Sequence, residues 1–569
     1  MNIIGFLHPP PPSQLQIKIH ILHLLLIITI LLFYHRITMS ESNQDKSIDP
    51  LDSELSSDSN SVAPLAGFGG IAADAMQRIQ TTEYETEERK RAQLVQSGPN
   101  ALIEKVPTEP SLTKKPLTWK EKYQEYWPAV PAFSIAYLQV FCIYLGVLSL
   151  YWGSIYRRET RYRNVKYLVV NQDAEFQYNG DTIEPYLGNA VINMFTNNAT
   201  ISNLGDFRIA NLTDFEELAA RHNNTPFEEV KRQIHHQKYW GGIYIAPGST
   251  ENIYNSFYTA NSTFVTSGAI NLTIVLVYET GRHFSALSQY IFRNLNAISE
   301  SWVRNYVSSE IYQPILARLS DTQRERLLSS NETILIFTTF PTFAYDDQRP
   351  APDSAVLAPS EVQLIYALLV SFYSFNFSVE IYAYMKKNIV YKSYLFYKFL
   401  ISQMHALVLA LVYSLMAIAF RISTSVTFGK LGFLVLWMFV YLYISAVGVV
   451  NEVVILIFLA YDKKELIAPW MVFNIVSNVS PTFAPFVLLP GFYRYGYAMP
   501  MYNAYEALKV VFFNTWKGHL GRNIGVLIIW IVVGNIILVF VTAWASRRAK
   551  RIAKEQRRKE KEALEMQKS

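Results

Sequence analysis

The chain has one cysteine, Cys142, in 569 residues. It lies inside a hydrophobic run, so neither an intrachain disulfide framework nor a cysteine metal cluster can form. Charge is also scarce. Asp, Glu, Lys and Arg make up 17% of the chain, against about 25% in soluble proteins. Motifs of catalysis and energy coupling are missing. Gly429-Lys430 is followed by Leu431 and lacks the first glycine of a phosphate-cradling loop, and no H-E-x-x-H or G-x-S-x-G occurs. The sequence therefore points to no catalytic residue, no metal, no cofactor and no enzyme activity. His235-His236 reads as a solvated pair on a surface helix.

Half of the residues are hydrophobic, and they gather in long runs, the pattern of several membrane spans. Six spans are expected, at 132–153, 362–384, 399–420, 431–459, 466–489 and 525–544. The fold class is a multi-pass α-helical membrane protein, one span plus five, with a large extracytosolic α+β domain at 154–360 between spans one and two. Region 362–545 forms the membrane domain.

The N-terminal part divides at Met39. Residues 1–38 hold a proline run, Pro9–Pro12, and an apolar stretch at 21–34 broken by His23. That stretch is short for a span of about 20 residues, and no small-residue cleavage site follows. Met39 opens a polar segment that looks like an ordinary start, so 1–38 reads as an extension ahead of it. A signal anchor and an extra span are the alternatives. Region 39–128 has no sustained apolar period and reads as disordered. Lys114, Lys115, Lys120 and Lys122 precede the first span and place that side in the cytosol.

Six N-x-Ser/Thr sites fall within 154–360, at Asn198, Asn211, Asn223, Asn261, Asn271 and Asn331. The two others, at Asn376 and Asn478, lie inside hydrophobic spans. This clustering favours a glycosylated domain outside the cytosol, with chance composition as the alternative. Strand-like runs at 166–170, 242–246 and 270–278 and helical patterns at 215–222, 228–236 and 284–308 support a core of its own. Lys392 and Lys398 stand at the start of the third span, and lysines at 386–387 and 463–464 mark cytosolic turns. The tail, 546–569, holds nine Lys/Arg between Arg547 and Lys561. Such a block fixes topology and continues the last helix, and attraction to anionic lipids is the further reading. It has no aromatic residues, which argues against nucleic acid.

Ionisable and amide groups inside spans are costly and mark function by default. Here they are Glu452, Asn451, Glu380, His405, Asn474 and Asn478, read either as a polar path between helices or as inter-helix hydrogen bonds. Asn474–Trp516 is the densest aromatic and proline stretch. It reads as a span, an interfacial hinge (Pro490, Gly491, Tyr493, Arg494, Tyr497, Pro500) and an amphipathic helix on or dipping into the outer leaflet.

Several blocks of residues resemble a known family. They are Tyr151-Trp152-Gly153-Ser154, Pro185–Val191, the block Pro490-Gly491-Phe492-Tyr493-Arg494-Tyr495-Gly496-Tyr497-Ala498-Met499-Pro500, and His519-Leu520-Gly521. Together they resemble the fungal nitrosoguanidine-resistance membrane proteins. Asn171-Gln172-Asp173, Ile245-Ala246-Pro247 and the one-plus-five layout are distantly similar to YhgE/Pip and ABC-2-type membrane domains. The resemblance covers about 125–546. It implies a plasma-membrane protein of drug or toxin resistance with both termini cytosolic, exporting small toxic or lipid-like compounds. The alternative is a non-transporting regulator or scaffold affecting lipid asymmetry or partner proteins. ABC-2-type relatives export with an ATPase partner; no residue here points to such a partner or to a second copy.

Overall fold

The computed structural model describes Trp127 and residues 130–568, leaving aside the side chains of 373–380 and a few scattered positions. Apart from Trp127, the readings of 1–38 and 39–128 lie outside the described residues. The chain divides into two compact units, Met1–Ala132 and Phe133–Ser569. In the first, the described residues are Trp127 and the opening turn of a helix. The second holds the rest of that helix, the sheet and the long apolar helices.

Helix α1, Val130–Cys142, passes through a π-helical turn, Ile143–Leu148, into α2, Ser149–Ile155. The chain breaks where Arg157 takes a left-handed φ of 51°. The 3-10 turn Arg158–Asn164 then leaves at 48°. Arg158 folds back and is buried. It donates to the Ser154 carbonyl at 2.9 Å and the Tyr290 hydroxyl at 2.8 Å.

The sheet domain is built on β1 (Lys166–Asn171), β4 (Asp206–Ile209), β5 (Gly241–Ile245), β6 (Ile274–Tyr278) and β7 (Phe343–Asp347), in the order β4-β1-β5-β6-β7. β2 (Phe176–Tyr178) and β3 (Asp181–Ile183) form a separate hairpin. Only the β5–β6 pair in the main sheet is antiparallel. Alternate strand residues feed opposite faces. Tyr167 and Val169 join a core with α3 (Tyr186–Asn197), α6 (Ser249–Thr259) and α7 (Phe292–Asn305). Leu168 and Val170 join a second core with α4 (Leu212–Arg221) and α5 (Pro226–His235). The expected α+β domain is thus a three-layer arrangement. Its helices alternate with the strands and cover both faces, which is why the three inner strands, β1, β5 and β6, are mostly apolar and buried.

The triplet ending β1 has a scaffold role. The buried Asp173 carboxylate accepts from the Gly188 amide (3.1 Å), the Thr250 amide (3.0 Å) and the Thr250 hydroxyl (2.5 Å). One internal anion therefore satisfies first-turn donors of both α3 and α6. Burial pushes its carboxyl above the usual range, against the pull of these bonds.

The rest is helical: α8 (Gln363–Asn388), α9 (Tyr391–Ala419), α10 (Gly432–Ala460), α11 (Ile467–Thr482), α12 (Pro500–Phe513) and α13 (Leu520–Lys568). Among the described residues, four stretches are long and apolar enough to cross a membrane, or five if the bent pair at 140–164 counts as one. α10 is central and packs against α8, α9, α12 and α13.

Three features depart from expectation. The third helix starts eight residues before 399, so Lys398 lies inside it and is buried. The fifth segment, expected helical over 466–489, stops at Thr482. Its 16 residues reach about 24 Å, short of a hydrocarbon core of about 30 Å. Pro481 and Pro485 end it, and 3-10 turns at Phe486–Leu488 and Gly491–Ala498 follow. The stretch after Pro500 is no interfacial helix, for twelve of the fourteen residues of α12 are buried. Its second face is small and apolar as well (Ala504, Ala507, Val510), so it is wrapped on all sides. The last helix runs on past 544 through the basic tail, as read from the sequence, and Arg548 donates to the Ala460 carbonyl at 2.8 Å, closing the end of α10.

Asp173→Ala strands three donors at the starts of α3 and α6. Unfolding of the detergent-solubilised full chain, followed by intrinsic fluorescence, should show a loss of about 2–4 kcal/mol. An unchanged midpoint contradicts the capping role.

Candidate functional site: an apolar cavity and a buried ion pair among the helices

Lys398 on α9 and Glu452 on α10 form an ion pair at 2.8 Å, with side chains 4% and 7% exposed. The angles fall short of a hydrogen bond at Glu452 Oε1. The Tyr382 ring lies 5.5 Å from Lys398 Nζ. Lys398, Ser402 and His405 recur at helical spacing and share a face, opposite Ser445, Gly448 and Glu452 on α10. Between them is a cavity of about 20 Å³, also lined by His405, which is room for about one water. Gln403 closes the same seam, accepting from Tyr441 (2.9 Å) and Ser445 (2.7 Å).

Asn451 precedes Glu452, and consecutive helical residues point about 100° apart, so it faces α11 instead. Its Oδ1 accepts from Trp470 Nε1 at 3.2 Å and Asn474 Nδ2 at 2.7 Å. Asn474 Oδ1 accepts from Asn478 Nδ2 at 2.9 Å, and Asn478 Oδ1 from the Met501 amide at 3.3 Å. The result is a ladder from α10 through α11 to the start of α12. Two donors fix the orientation of the Asn451 amide, and its buried Nδ2 has no partner among the described residues. The residues read as either one polar path or inter-helix hydrogen bonds therefore divide into two sets. Glu452 and His405 lie on one side of α10, and Asn451, Asn474 and Asn478 on another. Glu380 lies outside the residues whose side chains are described.

The ladder borders a far larger space. A cavity of about 560 Å³ opens between α2, α10, α11, α13 and the 491–500 turns. Val447, Val450, Phe473 and Trp530 give it apolar walls, and Asn474, Ser477 and Asn478 put polar atoms on one side. Phe473 and Phe492 are exposed at its margin. That size matches known ligand pockets, and mostly apolar walls with a few placed polar groups are their usual make-up.

The hinge residues take separate roles. Tyr493 is buried and donates to the Leu150 carbonyl at 2.5 Å, tying the turns to α2. Pro490, Gly491 and Arg494 line a surface crevice with Arg161. Tyr497 packs on Phe486, with ring centroids 4.2 Å apart. Pro500 starts α12 and lines the large cavity. Gly496 is required by close approach, since a Cβ there would sit 2.3 Å from Pro481 Cβ.

In the sheet domain, five sequon asparagines are exposed. Asn198 is half-buried and donates to the Tyr306 hydroxyl at 3.0 Å. The histidine pair is half-buried and meets protein partners. His235 Nδ1 is 2.8 Å from the buried Glu279 carboxylate, and His236 stacks on Trp516. Lys398 and Trp470 are the functional candidates that sequence reasoning passed over. A lysine near a turn reads as a flank; its seven-residue spacing from His405 is the signal that places it on the inner face.

A three-layer sheet domain carried on apolar helices, with a cavity among those helices, is the build of a membrane-embedded protein. The chain belongs to the family described as protein of unknown function (DUF3533), whose model matches residues 136–536. It is 28% identical over 427 residues to an uncharacterised endoplasmic reticulum membrane protein of Saccharomyces cerevisiae, covering 74% of this chain and 81% of the relative. No solved structure matches.

Removing one member of a buried ion pair strands the other at a cost of about 3–5 kcal/mol, whereas replacing both with apolar residues is often neutral. Glu452→Leu and Lys398→Met should each lower the unfolding midpoint in detergent, and the double variant should recover most of the loss. Additive losses contradict the pairing.

Proposed function

We propose that the protein binds lipid-like amphiphiles in the cavity between α2, α10, α11 and α13 and moves them, or small toxic compounds of that character, across the bilayer. The observation that carries this reading is the cavity itself. It is of ligand size, apolar on most sides and bordered by the Asn474–Asn478 ladder. The unpaired Asn451 donor adds a hydrogen-bonding demand next to it. Export in drug or toxin resistance is the physiological form of this activity that the family resemblance suggests. The second reading is a non-transporting regulator of lipid asymmetry. It is favoured by the lack of any nucleotide-binding loop in the sequence.

The topology we propose has six crossings, with α11 as a short fifth. The exposed sequons support a sheet domain outside the cytosol. The basic end of α13, exposed from Arg551 to Glu562, supports a cytosolic C-terminus next to anionic lipid. The location we propose is the endoplasmic reticulum membrane, following the description of the yeast relative. The plasma membrane is the alternative from the resemblance, and fluorescence of a tagged chain against markers of both membranes separates the two.

Reconstitution into liposomes holding a fluorescent acyl-labelled phospholipid tests the movement. The native chain should exchange label between leaflets, and Val450→Trp, which fills the cavity, should slow exchange at least about tenfold with the fold intact. Equal rates with and without protein sink the transport reading. For topology, Asn211→Gln should remove one glycosidase-sensitive step in electrophoretic mobility; a native chain insensitive to glycosidase contradicts the placement.

A further inference from the structure

A second chamber, of about 260 Å³, lies where the sheet domain meets α12 and the start of α13. It is separate from the apolar cavity, and its walls are charged. Arg282 comes from the turn after β6, Lys509 and Glu506 from α12, and Arg522 from α13. Three cations thus face one carboxylate.

That carboxylate is already engaged. Lys509 Nζ is 2.7 Å from Glu506 Oε1 and donates to the Arg282 carbonyl at 2.6 Å. The other nearby acid, Glu279, meets His235 through one oxygen, and it and Glu506 both act on Arg282 through space without contacting it. The two guanidinium groups therefore remain. Arg282 lies flat against Trp240, 3.8 Å from the ring centre, and donates to the Gln237 and Tyr239 carbonyls. Those partners are dipoles that orient the group without cancelling its charge. Burial lowers the Arg282 pKa to about 10, so it is charged at neutral pH. Arg522 lies over the Tyr497 ring and interacts with the Tyr502 hydroxyl. Among the described residues, neither guanidinium forms an ion pair.

The chamber thus holds more cationic than anionic groups on its walls, and an anion between the two guanidinium groups balances that excess. Two planar forks suit phosphate oxygens, which accept bidentate, charge-assisted hydrogen bonds. The tyrosine hydroxyls of Tyr497 and Tyr502 supply further donors on the same wall. The chamber is about half the volume of the apolar cavity, which suits a headgroup-sized anion better than a whole lipid.

We propose that this chamber binds a phosphate-bearing anion, a phosphomonoester or phosphodiester group, held by Arg282 and Arg522. The proposal stands whether or not the apolar cavity carries a lipid. The group can come from a lipid headgroup or from a soluble phosphate.

Isothermal titration of the full chain in neutral detergent tests it, with inorganic phosphate in one arm and short-chain phosphatidic acid in mixed micelles in the other. Saturable binding in the first arm indicates a soluble ligand, and binding in the second arm alone indicates a lipid headgroup. In either case Arg522→Gln, an exposed position that leaves packing intact, should weaken binding at least about tenfold. Arg304→Gln, an exposed guanidinium on α7, should leave it unchanged. Arg282→Gln should abolish binding, but it also removes two carbonyl clamps, so Arg522 is the deciding variant. Absence of binding in both arms overturns the proposal. So does binding that Arg522→Gln leaves intact, because such binding belongs to the basic stretch of α13.

Discussion

The structure depends on the burial of α12. A helix wrapped on every side by protein is destabilised by each polar group it leaves unpaired, and α12 carries Tyr505, Glu506 and Lys509. Glu506 and Lys509 pair with each other at 2.7 Å, and the other partners come from elsewhere in the chain. The Tyr505 hydroxyl donates to Glu361 at 2.9 Å, just before α8. Glu361 in turn accepts from Ser285 of the sheet domain. Lys509 reaches the Arg282 carbonyl. At the end of α12, Arg349 donates to the Asn514 carbonyl at 3.0 Å. Gly281 sits so close that an added Cβ would meet Phe513 at 2.3 Å. Satisfying one buried helix thus fixes the sheet domain against the helical domain.

The same burial explains the short α11. In lipid, free backbone groups are tolerated only where protein or a lined cavity meets them. α11 ends at Thr482, where α12 and the 3-10 turns pack against its last turns. Tyr495 donates to the Ser477 carbonyl at 3.1 Å, and Asn478 accepts the Met501 amide. This packing is incomplete towards α2 and α13, and the apolar cavity is what remains. The ladder from Asn451 to Asn478 belongs to this arrangement, whereas the Lys398–Glu452 pair holds α9 to α10 on the other side.

Much of this was legible in the sequence. Long apolar runs marked α8, α9, α10 and α13, and a short strand-like run at 166–170 marked β1. The amides Asn451, Asn474 and Asn478 stood out because such groups are costly among apolar neighbours, and the structure brings all three together. Other features depend on contacts distant in sequence. Nothing near Lys398 announces that a glutamate 54 positions later faces it. β4 and β7 are short, and their ends carry charge, so their pairing is tertiary. The aromatic richness of 492–505 read as a membrane interface because Tyr is favoured there, yet Tyr493 and Tyr505 are buried with hydroxyls bonded to Leu150 and Glu361. Composition shows that such rings need one polar contact; it does not show whether water or protein supplies it.

The central claim is that the broken helix leaves a cavity that lipid chains enter. Photo-crosslinking in native membranes with a phospholipid bearing a diazirine on its acyl chain, read by mass spectrometry, tests it directly. The account predicts adducts on cavity residues of α11 and α13, at Phe473 and Trp530, that disappear in Val450→Trp. Adducts confined to the outward faces of α9 and α13, unchanged by that substitution, would contradict it.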